Sequence, residues 1–163
     1  DEPGIYRGKC TELCGKNHGF MPVVVKVVPQ DEYDAWVQEK KDAAFRMAEL
    51  TEKDWSVAEL TERGEGVYLK NCVACHQVNG QGITGIFPNL AGSDIVLNNK
   101  PRNVEILMEG VQGAAMQSFA NQLSEVDMAS VITYTRQAWG NAENGDGEIV
   151  VPKDIVEYKE PKV

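Results

Sequence analysis

Histidine is scarce in this chain: its 163 residues contain two, His18 and His76, so no ligand set of three or more imidazoles can be drawn from it. No run approaches the roughly 18 apolar residues of a membrane-spanning helix, and no segment has the form of a signal peptide. Positive charge is short as well. Sixteen Lys and Arg stand against 25 Asp and Glu, a net of −9, which argues against nucleic acid and anionic lipid headgroups as ligands. With 42% hydrophobic residues the chain can bury one modest core, and residues 56–140 supply it. That stretch holds five basic residues (Arg63, Lys70, Lys100, Arg102, Arg136) and eight acidic ones, leaving it at about −3.

What is present is two short clusters of ligand-type side chains. Residues 72–76 read Cys-Val-Ala-Cys-His. Thiols three positions apart can each form a thioether to one vinyl group of a haem, and the next residue, His76, then lies under the iron as proximal ligand. A thioredoxin-like redox pair does not need the adjacent His, and a zinc site would need a second ligand pair nearby, which is missing. The motif therefore predicts one covalent c-type haem on Cys72 and Cys75.

Such a haem needs a sixth ligand, for which a methionine thioether is the usual choice. Met21 and Met47 lie far upstream. Met108 falls in the amphipathic stretch Pro101 to Glu109, beside Val104 and Leu107, and Met128 sits at core spacing with Val131 and Ile132. Both read as core filler. Met116 lies in Gly113-Ala114-Ala115-Met116-Gln117, a loop of small residues between two helices, where no helix blocks a side chain from reaching a haem face. It is the expected axial ligand.

The flanking segments predict a mainly α domain. Ser56 with Glu59 forms a capping signature, and Leu60, Val67 and Tyr68 mark an apolar face running into Cys72. Pro101 suits a first helical turn and Gly110 a stop. Ser124 with Asp127 starts a further helix whose Met128, Val131, Ile132 and Thr135 form one stripe, ending near Trp139 and Gly140. A Gly-rich loop from Gly80 to Gly92 holds Phe87-Pro88-Asn89-Leu90. Over residues 56–140 the chain resembles class I cytochromes c. The resemblance implies that Pro88 offers its backbone carbonyl to His76, orienting the ring and making it more basic. Members often place Pro directly after the axial Met; here that residue is Gln117.

Residues 10–21 read Cys-Thr-Glu-Leu-Cys-Gly-Lys-Asn-His-Gly-Phe-Met, which sets Cys10, Cys14, His18 and Met21 in one loop. Two thiolates, an imidazole and a thioether are a soft set that favours copper over magnesium or calcium. A Cys10–Cys14 disulfide and a zinc loop are the other readings; neither accounts for Met21. The string C-x-E-x-C-x-x-x-H-x-x-M resembles the dinuclear copper (CuA) loop of cytochrome c oxidase subunit II. The resemblance implies bridging thiolates at Cys10 and Cys14, terminal ligands at His18 and Met21, and a weak ligand in the Glu12 carbonyl. It also implies a second His upstream of the first Cys, absent here, and a cupredoxin β-barrel. Of that barrel only a last strand, Phe20 to Pro29, is expected, from its Val23-to-Val28 run.

The expected organisation is a cupredoxin remnant (1–29), a charged helical linker (30–55), a cytochrome c domain (56–140) and an irregular tail (141–163), with Ile149–Val151 and Ile155–Tyr158 resting on the haem domain. The chain reads as the C-terminal piece of a longer polypeptide whose copper centre is incomplete without its upstream part. Together the resemblances imply subunit II of a bacterial haem–copper oxidase with a fused cytochrome c domain. They imply an external electron donor, such as a soluble cytochrome, and catalytic subunit I as partners. Anchoring through upstream membrane helices would place the domain on the outer, periplasmic face of the cytoplasmic membrane. Two other classes stay open: a stand-alone carrier cytochrome with an incomplete copper loop, and a copper-binding module with an appended haem sensor.

Overall fold

The computed structural model describes residues 2–159, which fall into two compact units divided between Met47 and Ala48. In the first unit, β1 (Gly4–Lys9) pairs antiparallel with β2 (Pro22–Val27), Gly4 opposite Val27 and Lys9 opposite Pro22. The expected strand is therefore present, but it is not alone. β1 escaped the sequence pattern because Gly4, Arg7, Gly8 and Lys9 dilute the β-branched signal, and the strand exists through its pairing with β2. Helix α1 (Gln30–Glu52) begins in the first unit and ends in the second, where a helical linker was expected. None of its residues is buried, and Trp36 and Phe45 are exposed.

The second unit is helical, so the chain is mainly α. Helix α2 (Val57–Asn71) opens on the expected capping box. The Ser56 hydroxyl accepts from the Glu59 N–H at 3.3 Å, and the Glu59 carboxylate accepts from the Ser56 N–H at 2.9 Å. Lys53, with the Ser56 contacts, holds the Glu59 carboxyl down at about 2. This contribution to stability is present above the ordinary carboxylate range and is lost as pH falls through that value. After α3 (Val73–His76) and the Gly-rich loop come α4 (Asp94–Asn98) and α5 (Lys100–Glu109), with Pro101 in the first turn of α5 and Gly110 at its C-cap.

Helix α6 (Glu125–Gln137) starts at Ser124, whose hydroxyl accepts from the Asp127 N–H. A single apolar stripe was expected on it. Instead Val126, Met128 to Thr133, Thr135 and Arg136 are all buried, because α2 covers one side and α5 and a C-terminal helix cover others. A helix buried on several sides is the centre of its domain, not a wall.

The expected irregular tail is corrected. Residues 141–159 contain α7 (Asn141–Asn144) and α8 (Pro152–Lys159), and the last four residues of that tail lie outside the described residues. Pro152 pre-sets the first turn of α8, and the Asp154 carboxylate accepts from the Val151 N–H. Val150 and Ile155 join Val104, Met128, Ala129 and Ile132 in the core, so the packing expected of this segment is observed while its irregularity is not.

Where α2 crosses α6 the two backbones come close at Gly64. A Cβ on Gly64 would sit 2.0 Å from the Ser130 carbonyl oxygen and 2.7 Å from the Tyr134 Cβ. Gly66, two residues on, faces open space. Gly64→Ala should therefore destabilise the protein by roughly 2–3 kcal/mol or more through forced separation of the helices. Gly66→Ala should stabilise it by up to about 1 kcal/mol through helix propensity alone. Urea unfolding of the two variants followed by circular dichroism checks this pair of opposite signs.

Candidate functional site

The first cluster is assembled by its hairpin. The Cys10 N–H donates to the Met21 carbonyl at 3.4 Å, so strand pairing sets these two residues against each other. Gly15 turns the chain at φ 126°, and His18–Phe20 form a short 3-10 turn in which the His18 N–H donates to the Gly15 carbonyl. The outcome is a convergence on one sulfur. Cys14 Sγ lies 3.3 Å from Cys10 Sγ, 3.4 Å from His18 Nδ1 and 3.1 Å from Met21 Sδ, and Cys10 Sγ is 3.1 Å from the Glu12 carbonyl.

All five groups singled out in this loop are thus brought together. The two cysteines are free, their sulfurs well beyond the bonded distance of about 2.05 Å. The hydrogen bond with Cys10 raises the Cys14 thiol above its usual range, and desolvation adds to it. Two sulfurs, an imidazole nitrogen and a thioether within mutual reach fit a soft metal ion.

The second cluster grows from the end of α2. The Cys72 N–H donates to the Tyr68 carbonyl at 2.8 Å, and the N–H groups of Cys75 and His76 both return to the Cys72 carbonyl. One tight turn thereby presents two half-buried thiols and the imidazole. Burial pushes the Cys72 thiol up to about 11, with Cys75 adding to the effect. His76 Nδ1 lies 3.0 Å from the Pro88 carbonyl, which can only accept, so Nδ1 carries the proton and Nε2 keeps its lone pair for a metal. This chemistry fits a haem iron held by His76.

The loop that delivers Pro88 is tightly specified. Gly82 adopts φ 63°, and a Cβ there would stand 2.4 Å from the Phe87 carbonyl oxygen and 2.5 Å from that of Pro88. A side chain at this position would displace the acceptor of the His76 bond. The Gly82 N–H donates to the His76 carbonyl, and the N–H groups of Leu90 and Ala91 both reach the Gly80 carbonyl. Asn141, almost fully buried, closes the loop: its Nδ2 donates to the Leu90 and Thr135 carbonyls and its Oδ1 accepts from the Gly92 N–H.

Met116 lies half-buried on the connection between α5 and α6. Its carbonyl accepts from the Val111 N–H at 2.9 Å, Ser118 Oγ donates to the Met108 carbonyl, and the Phe119 N–H returns to Leu107. Gly110 again permits the close approach, since a Cβ there would meet the Met116 carbonyl oxygen at 2.7 Å. Met128 is fully buried in the core and Met108 packs against it, as expected for filler.

Sequence reading missed Arg136 and Asn141. Arg136 is buried, donates to the carbonyls of Val96, Leu97 and Glu148, and pairs with Asp146. A single basic residue inside the apolar stripe of α6 was the available signal. Asn141 carried none, because its loop partners Leu90 and Gly92 lie 51 and 49 residues away.

Comparison with known proteins divides the chain in the same way. Residues 1–28 match the family described as cytochrome c oxidase subunit II, periplasmic domain, and residues 59–134 match cytochrome c oxidase, cbb3-type, subunit III. Cytochrome c oxidase subunit 2 of Alkalihalophilus pseudofirmus is 34% identical over 83% of this chain and 40% of its own length. The cytochrome c subunit of a quinone-dependent alcohol dehydrogenase from Gluconobacter oxydans is 35% identical over 50% of this chain and 19% of its own. Subunit 2 of Cyanidium caldarium is 60% identical over 23% of this chain and 14% of its own. The chain thus spans two fifths or less of the length of these relatives.

Because Cys14 touches three of the other donors, its loss should be the most damaging in the loop. Cys14→Ser should lower copper(I) affinity of the chain by a hundredfold or more, beyond the roughly 10–100-fold typical of an outer partner. Met21→Leu should have the smaller effect. Competition titration with a copper(I) chelator checks the order.

Proposed function

We propose that this chain, whose residues 1–28 match the periplasmic domain of cytochrome c oxidase subunit II and whose residues 59–134 match cbb3-type cytochrome c oxidase subunit III, is the electron-transfer part of a bacterial haem–copper oxidase. It receives electrons from an external donor such as a soluble cytochrome and delivers them to catalytic subunit I, where oxygen is reduced to water. The observation that carries this reading is the convergence of Cys10, Cys14, His18 and Met21 within 3.1–3.4 Å around one sulfur. A stand-alone carrier cytochrome has no use for such a set.

The roles follow from the donors. Cys72 and Cys75 would anchor a haem covalently, and its iron would be held by His76 Nε2, the ring fixed by the Pro88 carbonyl, and by the Met116 thioether. Cys10, Cys14, His18, Met21 and the Glu12 carbonyl would be this chain's share of the donors to a dinuclear copper centre. When bound, the two groups supply one-electron chemistry; the protein contributes ligation, burial and positioning.

In this reading residues 1–29 are a cupredoxin portion, 30–55 a helical linker and 56–140 the cytochrome domain. Residues 141–159 pack onto the last of these through Val150 and Ile155. Anchoring through the membrane helices of the whole subunit would hold both centres on the outer face. Among the described residues no helix is long and apolar enough to cross a membrane.

Two experiments test the reading. In the haem-loaded protein, Met116→Ala should abolish the sulfur-to-iron charge-transfer band and lower the potential, while Met108→Ala and Met128→Ala keep the band; loss of the band in Met108→Ala would reassign the ligand. In the intact oxidase, flash reduction of the haem followed at the copper band should give a transfer rate independent of protein dilution and only weakly dependent on salt. Screening over about 10 Å at 0.1 M acts mainly on encounters between separate proteins, and a linker supplies a fixed effective concentration. A rate that fell with dilution would favour the stand-alone carrier.

A further inference from the structure

Among the described residues, two that are not glycine take a positive φ: Gln77 at 61° and Trp139 at 58°. Non-glycine residues persist there only where their surroundings over-determine them. Gln77 directly follows His76, and Trp139 lies just beyond α6, sixty-two positions later in the chain. They meet at one place.

The fully buried Tyr68 donates its hydroxyl to the Gln77 carbonyl at 2.6 Å, and Trp139 Nε1 donates to the next carbonyl, that of Val78, at 3.1 Å. The two donors are packed on each other, ring centroids 5.2 Å apart and edge-on, with Tyr134 at 5.4 and 5.5 Å completing the cluster. The Trp139 ring lies against Gly80, where a Cβ would come within 2.4 Å of it.

A continuous set of bonds runs from this cluster to the imidazole. Tyr68 and Trp139 fix two successive carbonyls after His76, and Trp139 seats Gly80. The Gly80 carbonyl accepts from the N–H groups of Leu90 and Ala91, which places the Pro88-Asn89 segment, and the Pro88 carbonyl accepts from His76 Nδ1–H. We infer that Tyr68 and Trp139 are positioning residues for the iron-binding imidazole, acting on the haem potential through the Pro88 carbonyl. This rests on the reading of His76 as a haem ligand.

The direction follows from the hydrogen bond. Donation from Nδ1–H to a carbonyl makes the imidazole a stronger donor to the metal, and a stronger donor favours the ferric state. Loosening the Pro88 carbonyl weakens that bond and raises the potential, one of the levers by which a protein tunes a haem.

Trp139→Phe and Tyr68→Phe keep an aromatic ring and remove one donor each. Produced as haem-loaded full chains, both should show an upward shift in midpoint potential and displaced His76 imidazole resonances in the paramagnetic NMR spectrum of the ferric protein. Thr133→Val is the control: it removes a buried hydrogen bond to the Val150 carbonyl on the far side of α6. It should lower the urea midpoint and leave the potential and resonances at their wild-type values. Should either ring-retaining variant lose stability with potential and resonances unchanged, or show a lowered potential, the inference is overturned and these residues are only structural. If the wild-type chain carries no covalent haem by pyridine haemochrome assay, the underlying reading of His76 fails instead.

Discussion

The absence of a side chain at Gly64 is the constraint on which the helical unit depends. It lets α2 and α6 approach until the Ser130 carbonyl occupies the space where a Cβ would be. That contact fixes the angle and depth at which α2 meets the central helix. One turn further along α2 is Tyr68, and on α6 at the same level is Tyr134. The aromatic cluster with Trp139 therefore forms only if the crossing is this close. From the cluster, hydrogen bonds reach the carbonyls of Gln77 and Val78, so the position of His76 is tied to the helix crossing.

The two ligand clusters are built by different physics. The Cys10-to-Met21 loop is local: one antiparallel hairpin, one glycine turn and one 3-10 turn bring four side chains together within twelve residues. Its donors also stand largely in solvent, Cys14 and Met21 above all. The His76 site is long-range. Its second partner, Pro88, is held by a loop whose end is closed by Asn141, and Asn141 in turn is buried under the end of α6. The helical core supports this site; among the described residues no buried apolar cluster surrounds the Cys10-to-Met21 loop.

Charge and packing also divide their work. Arg136 is the one cation sunk into α6, and its guanidinium is satisfied by three carbonyls and Asp146. Asp146 in turn is held below the usual carboxylate range, chiefly by that contact. The network stitches α4, α6 and the segment before α8 together. Removing Asp146 would leave the buried Arg136 guanidinium without its counter-charge, which costs more than the pair contributes.

What could be read from the chain by itself were the features whose cause is local. The Ser56–Glu59 box, the stop at Gly110 and the start at Ser124 each need only neighbours a few positions away, and each is found as read. The Cys72-to-His76 motif and the donors of residues 10–21 are local in the same sense, gathered by bonds between near neighbours. The filler roles of Met108 and Met128 were legible for the same reason, as helical spacing announces a core face. Tertiary structure alone decided the rest. β1 exists because β2 pairs with it; α6 is buried on several sides because α2, α5 and α8 surround it; α8 is ordered because Ile155 has a core to enter. The positive φ at Gln77 and Trp139 has no local signature, and the bond from Trp139 to the Val78 carbonyl that joins the two places spans 61 positions. Spacing in sequence encodes bonds along one turn, whereas a helix crossing is set by shapes that meet only after the chain has folded.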